Sequence, residues 1–229
     1  MIDDEFNQAT VHHNDHFRTL KQRKMKKLFL SIALLSGFAF AGKAQTEKGK
    51  FLVGGSASFS STKSDADGAK SSEDLRAIPN VGYFVANNVA IGTGIGYSYT
   101  KSTVGFAAGQ NESFVVSPFG RYYVKLNDQF KFFGQASVPM AFGTLKAVEA
   151  NGETGDKVGT STSIGVAVSP GFAFFPTKKI GIEFSFQGAS YTNYRVKDKD
   201  DNDLKGAGRD AFSVGSSFFT PQIGVQFHL

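Results

Sequence analysis

The sequence predicts an all-β protein, an eight-stranded antiparallel up-and-down β-barrel that spans a membrane. Apolar residues alternate with small or polar ones over long stretches, and eight such stretches are joined by alternately short and long connections. The 229 residues include 24 Phe and 26 Gly, and 20% are charged, a composition typical of an ordered chain rather than a disordered one. The absence of Cys excludes disulfide scaffolds, iron–sulfur clusters and thiol nucleophiles.

The alternation is clearest between residues 89 and 99. Val89, Ile91 and Ile95 share one face, whereas Gly92 and Gly94 belong to the other. Residues 164–174 and 180–187 repeat this pattern. A period of two over so many residues predicts strands with one apolar face and one small or polar face.

Eight segments show this alternation, and they cover residues 50–60, 74–85, 88–100, 112–125, 129–146, 160–175, 179–194 and 211–229. Three connections are tight, at 86–88, 126–128 and 176–178. The other four are long and polar, at 61–73, 101–111, 147–159 and 195–210. This order predicts a meander with short turns at one end and long loops at the other.

The composition of the two strand faces favours a barrel in lipid. A soluble β-sandwich buries its apolar faces and exposes faces rich in charge. Here the second face is mostly Gly, Ala and Ser, which suits a narrow barrel interior, while the apolar face suits contact with lipid. Closure also satisfies the backbone hydrogen bonds that hydrocarbon cannot.

The chain before the first strand predicts export. From Met25 there is a basic start, an apolar run and small residues up to Ala44, which together predict a signal peptide over 25–44 cleaved after Ala44. Residues 1–24 are interpreted as a non-native upstream extension, and residues 45–229 as the barrel. Seven basic and four acidic residues lie in 1–44, so the barrel carries 18 and 16 and shows no basic stripe for nucleic acid.

The last eight residues resemble the C-terminal assembly signal of outer-membrane barrels. Gln222, Gly224, Phe227 and Leu229 fill its four positions, with Leu where Phe is more usual. The predicted mature chain thus resembles the small outer-membrane β-barrel superfamily of Gram-negative bacteria, the OmpA-, OmpX- and OmpW-like group. That resemblance implies periplasmic termini, short periplasmic turns and four longer surface loops. It also implies outer-membrane lipid, barrel assembly machinery and periplasmic chaperones as partners.

Three charged residues are predicted to lie inside the barrel. Alternation places Arg121, Lys131 and Glu183 on inward faces, each within several residues of a short turn. They are interpreted as a structural charge network in the lumen, because an unpaired charge there would be costly. The alternative is a gate in a small pore.

Aromatic residues near strand ends are predicted to form girdles at the membrane interfaces. They are Tyr97, Tyr99, Tyr122, Tyr123, Tyr191, Tyr194, Phe130, Phe132, Phe174 and Phe175.

Catalysis is not predicted, and neither is a cofactor or a metal site. Barrel enzymes that transfer or hydrolyse acyl groups need a general base at the outer rim, whereas the one His of residues 45–229 is His228, beside the C-terminus. The acidic run 198–203 lacks the Gly and the closing Glu of a calcium loop. The predicted function is a non-enzymatic barrel with a structural or surface-interaction role. A narrow channel for small or hydrophobic molecules and a secreted soluble ligand carrier are the alternatives.

Overall fold

The computed structural model describes residues 45–63, 65, 70–103, 108–149, 151–215 and 222–229. The predicted extension 1–24, the predicted signal peptide 25–44 and its cleavage site Ala44 lie outside the described residues. Within the described part the chain forms eleven strands: β1 (Phe51–Thr62), β2 (Ser72–Ala86), β3 (Val89–Ser102), β4 (Gly109–Lys125), β5 (Phe130–Ser137), β6 (Met140–Val148), β7 (Thr154–Phe174), β8 (Ile180–Ser185), β9 (Ala189–Asp198), β10 (Arg209–Val214) and β11 (Gln222–His228). No helix in those ranges is long and apolar enough to cross a membrane.

The eleven described strands build an eight-stranded barrel, because three barrel strands are each described as two segments. β5 and β6 are separated by Val138 and Pro139 and β8 and β9 by residues 186–188, while residues 216–221, between β10 and β11, lie outside the described residues. Pro139 has no N–H to offer the ladder, although its carbonyl accepts the N–H of Gly165 at 3.0 Å. Side-chain alternation does not report such local breaks in backbone pairing, so they were not predicted from the sequence.

Each barrel strand is antiparallel to its neighbours in the chain, and pairing of β1 with β11 closes the barrel. Leu52 pairs with His228, and the N–H groups of Phe51 and Leu229 donate to each other's carbonyls at 2.9 and 2.8 Å. Beyond Val53, β1 pairs with β2 alone among the described residues. The predicted eight-stranded antiparallel barrel is confirmed. Within the described residues, the pairing of β1 with β11 involves only Leu52 and Val53 of β1.

The three tight connections lie at one end of the barrel, here called the turn end, together with the start of β1 and the end of β11. Asn88 adopts a left-handed conformation, with φ of 65°, that Asn tolerates better than most residues. The side-chain oxygen of Asn127 accepts the N–H groups of Gln129 and Phe130 at 2.9 and 2.8 Å. The first turn thus depends on the conformation of Asn88, and the second on local side-chain hydrogen bonds.

The opposite end, here called the loop end, carries the connection 199–208 together with the end of β1, the start of β2, the end of β3, the start of β4, the end of β6 and the start of β7. β7 begins at Thr154 and β9 ends at Asp198, so both strands take in residues expected to be loop.

The two faces of the wall differ as the alternation predicted. Every barrel strand exposes large apolar side chains on its outer face, for example Ile91 on β3, Val166 on β7 and Val225 on β11. An apolar outer surface of this extent is a liability in water and the expected surface of a barrel in lipid. The buried side chains face inward and concentrate near the turn end, and this inner layer is where the candidate site lies.

Candidate functional site

The centre of the candidate site is an ion pair across the lumen, between Arg121 on β4 and Glu183 on β8. Nη1 of Arg121 lies 2.6 Å from Oε1 and 2.8 Å from Oε2 of Glu183, and both side chains are 6% exposed. Strand registry positions them, since Arg121 pairs with Ala90 on β3 and Glu183 with Ala173 on β7, all on the inner face. Two predicted lumen charges are therefore in direct contact.

Tyr123 and Gln135 complete the hydrogen bonds of this cross-lumen ion pair. Nε and Nη2 of Arg121 donate to Oε1 of Gln135 at 2.9 and 2.7 Å, and Nη1 also donates to the Tyr123 hydroxyl at 2.9 Å. That hydroxyl in turn donates to Oε1 of Glu183 at 3.0 Å. Every nitrogen of the guanidinium thus has an acceptor, as a buried charge requires.

The prediction that Tyr123 is an interfacial anchor was wrong, because its side chain is fully buried, at 0% exposed. It lies two residues after Arg121 on the same strand, so alternation alone would have placed it inside. An aromatic residue near a strand end also suits a membrane interface, so for Tyr123 these two sequence patterns point in opposite directions.

Aromatic rings surround the guanidinium and fill the lumen at this level. The Cζ atom of Arg121 lies 4.5 Å from the ring centroid of Phe133 and 5.7 Å from that of Phe119. Inward glycines make room for these rings: a Cβ atom on Gly171 would lie 2.3 Å from Phe133, and one on Gly92 would lie 2.6 Å from Phe119. Small residues on one strand therefore admit large ones from its neighbour.

Lys131 is also buried on the inner face, but the structure does not bring it to the cross-lumen ion pair. Its ammonium donates to Oγ1 of Thr46 and lies 3.5 Å from Oδ1 of Asn88. It also lies 5.8 Å from the ring centroid of Phe175, another predicted interfacial anchor that is in fact buried. Lys131 has no carboxylate within ion-pair distance among the described residues. It belongs to a second layer, nearer the turn end.

Residues 45–50, just before β1, close the turn end. Thr46 donates to Oδ1 of Asn88 at 2.5 Å, and its carbonyl accepts the N–H of Asn88 at 2.7 Å. Nδ1 of His228 lies 2.5 Å from the carbonyl oxygen of Gln45. A carbonyl can only accept, so Nδ1 carries the proton. No pattern in this short polar segment signalled its role as a closure.

The His228 ring is packed as a structural element. Its centroid lies 5.0 Å from that of Phe175, 5.8 Å from that of Phe84 and 6.3 Å from that of Tyr123. Nε2 has no hydrogen-bond partner among the described residues. An imidazole enclosed by rings at the turn end has no access to a substrate at the loop end.

Two cavities lie in the lumen on the loop side of the cross-lumen ion pair. The smaller, of about 180 Å³, is lined in part by Arg121 and Glu183. The larger, of about 370 Å³, is lined mainly by small and hydroxyl-bearing side chains, and Arg76 lines both. The described residues contain no group of three or more His, Cys, Asp or Glu able to hold a metal ion. The interior is thus filled near the turn end and hollow above it.

The predicted assembly-signal residues Gln222, Gly224, Phe227 and Leu229 lie in β11 and at the residue after it. Phe227 pairs with Val53, beside the hydrogen bonds that close the seam. Recognition of these residues by assembly machinery stays a prediction.

Several solved structures are similar to this chain. Neisserial surface protein A shares 14% identity with a TM-score of 0.44, covering 79% of this chain and 97% of its own. The N-terminal β-barrel domain of Pseudomonas aeruginosa OprF shares 12% identity with a TM-score of 0.36, covering 80% and 98%. Outer membrane protein W of E. coli shares 12% identity with a TM-score of 0.44, covering 80% and 97%.

Among curated proteins, none matches the sequence. The sequence does match the outer membrane protein beta-barrel domain over residues 30–218, which is most of its length. The chain therefore belongs to the outer-membrane β-barrel family.

Proposed function

We propose that this outer-membrane barrel is non-enzymatic and supports the cell envelope and its contacts with the surroundings, with a lumen closed at the turn end. The observation that carries the proposal is the closed turn end of the lumen, here called the floor. The cross-lumen ion pair and its aromatic rings form one buried layer, and Lys131 with Thr46 and Asn88 forms a second beneath it. A solute entering from the loop end meets both layers in turn.

The loop end is the surface left for interaction. Its described residues 149, 151–153 and 199–208 are polar and mostly exposed, and loops of this kind carry specificity on rigid scaffolds. The one His of residues 45–229 lies at the other end and is buried. This separation supports a binding or structural role over acyl transfer or hydrolysis.

The proposal includes an orientation and a route to the membrane. The signal peptide ends at Ala44, the turn end faces the periplasm, and the loop end faces outward. Periplasmic chaperones and the barrel assembly machinery deliver the chain, which then sits in outer-membrane lipid. Determining the N-terminus of the membrane-fraction protein checks the cleavage site, because the mature chain is expected to begin at Gln45.

Conductance across a planar lipid bilayer tests the closed floor. Folded protein is expected to show no current steps of defined size, whereas a reference pore added to the same bilayer shows that steps are detectable. A shift in mobility between boiled and unboiled samples on SDS gels verifies that the barrel is folded. Defined steps would contradict the closed floor and favour the narrow channel, and recovery without detergent in the soluble fraction would favour the soluble carrier.

A further inference from the structure

The larger lumen cavity carries two arginine side chains and no carboxylate in its lining. Arg76 reaches it from β2 and Arg209 from β10, and the remaining lining residues are uncharged. Both arginines are exposed, so solvent in the lumen reaches them. A hollow of about 370 Å³ with this lining has an excess of positive charge.

These two arginines differ from the other arginines among the described residues. Arg121 is paired with Glu183 at 2.6 Å, and Arg195, on the outer side of the wall, lies 3.5 Å from a carboxylate oxygen of Asp210. Within the described ranges, neither Arg76 nor Arg209 has a carboxylate within ion-pair distance. The two guanidinium groups in the larger cavity therefore lack counter-charges.

No other charged group of the described residues comes within ion-pair distance of these two arginines. Asp74 lies on the inner face two residues from Arg76, and its Oδ2 accepts the hydroxyl of Thr100 at 2.9 Å. The Cζ atom of Arg209 lies 5.6 Å from the ring centroid of Tyr194, a contact that holds the cation beside the cavity while leaving its N–H groups available.

The uncharged lining adds hydrogen-bond donors. Oδ1 of Asn111 accepts the hydroxyls of Ser113 and Ser161, both at 3.2 Å. That orients the amide so that its NH₂ group, which makes no hydrogen bond within the described part of the chain, is free for another acceptor. Ser98 and Ser163 bring further hydroxyls to the cavity.

We propose that this cavity binds a small oxyanion, a solute that bears carboxylate or phosphate groups. A guanidinium group matches the paired oxygens of both groups and makes charge-assisted hydrogen bonds that are stronger than neutral ones. Two guanidiniums with amide and hydroxyl donors, in a lining without a carboxylate, form a recognition set for it. This goes beyond the structural role above and holds whether or not the floor conducts.

Isothermal titration calorimetry of the folded full chain in detergent tests the site, with pyrophosphate and citrate as separate probes. Both are expected to bind, and higher salt is expected to weaken binding because it screens the charges. Arg76→Gln and Arg209→Gln are each expected to weaken binding about tenfold, the effect of losing one charge-assisted contact. The double variant is expected to abolish binding, and Arg76→Lys, which keeps the charge but loses the planar fork, should fall between Arg76→Gln and the native chain.

Arg195→Gln is the matched control, because it removes the same charge from the outer side of the same region of wall. It is expected to leave binding unchanged. Heat-modifiable mobility on SDS gels restricts the comparison to folded variants. The site would be overturned if the folded native chain bound neither pyrophosphate nor citrate. Equal losses of affinity in Arg76→Gln and Arg195→Gln would overturn it as well. Binding of only one probe would assign the site to that chemistry.

Discussion

The cross-lumen ion pair predicts a large loss of stability when one partner is neutralised. Glu183→Gln leaves the Arg121 cation buried, at 6% side-chain exposure, without a counter-charge. Breaking a buried pair in this way costs about 3–5 kcal/mol. We expect a loss near the lower end, about 3 kcal/mol, because the oxygens of Gln135 and Tyr123 still accept from the guanidinium.

The chain offers a matched control on the outside of the same wall. Glu112 lies 3.1 Å from the ammonium nitrogen of Lys146, and both side chains are 31% exposed. This pair is far more exposed than the cross-lumen ion pair, so Glu112→Gln is expected to cost no more than about 1 kcal/mol.

Urea unfolding in lipid vesicles measures both variants, followed by far-UV circular dichroism and by the folded band on unheated SDS gels. Adding Arg121→Gln completes a double-mutant cycle, in which the double variant should lose about 2 kcal/mol less than the two single losses combined. Equal losses for Glu183→Gln and Glu112→Gln, or strictly additive losses in the cycle, would refute the reasoning.

Three further outcomes follow from the wall and the floor. Gly171→Ala is expected to lower the free energy of unfolding, measured in urea, by about 1–3 kcal/mol, because the new methyl group would meet the ring of Phe133. Gly134→Ala is the control and should change this free energy little, because the space around Gly134 is open. Tyr123→Phe should cost about 1–2 kcal/mol in the same assay by removing a buried hydroxyl from the ion pair, and Tyr122→Phe, exposed on the outer face, should cost almost nothing. Ile164→Lys places a charge on the outer face near the middle of β7 and should cost about 2–4 kcal/mol in vesicles, so full stability there would contradict a lipid-facing surface.

Much of the candidate site was within reach of the sequence. Arg121 and Glu183 were placed in the lumen because inward and outward positions alternate along a strand, and this rule needs only local information. The same rule applied to Tyr123 would have put it beside Arg121. The contact between Arg121 and Glu183 was not predictable as a pair, because 62 residues separate them and the registry of several intervening strands sets their distance.

The sequence by itself determined the number of barrel strands, their two-faced character and the apolar outer surface, since each is a periodic property of a short segment. Tertiary structure alone decided which inward groups meet. It paired Arg121 with Glu183 and brought Lys131 into contact with Thr46 and Asn88. It also left Arg76 and Arg209 without carboxylate partners among the described residues. The physical reason is closure. Bending the sheet into a barrel brings side chains from non-adjacent strands across a narrow lumen, and the stagger of the strands decides which of them share a level.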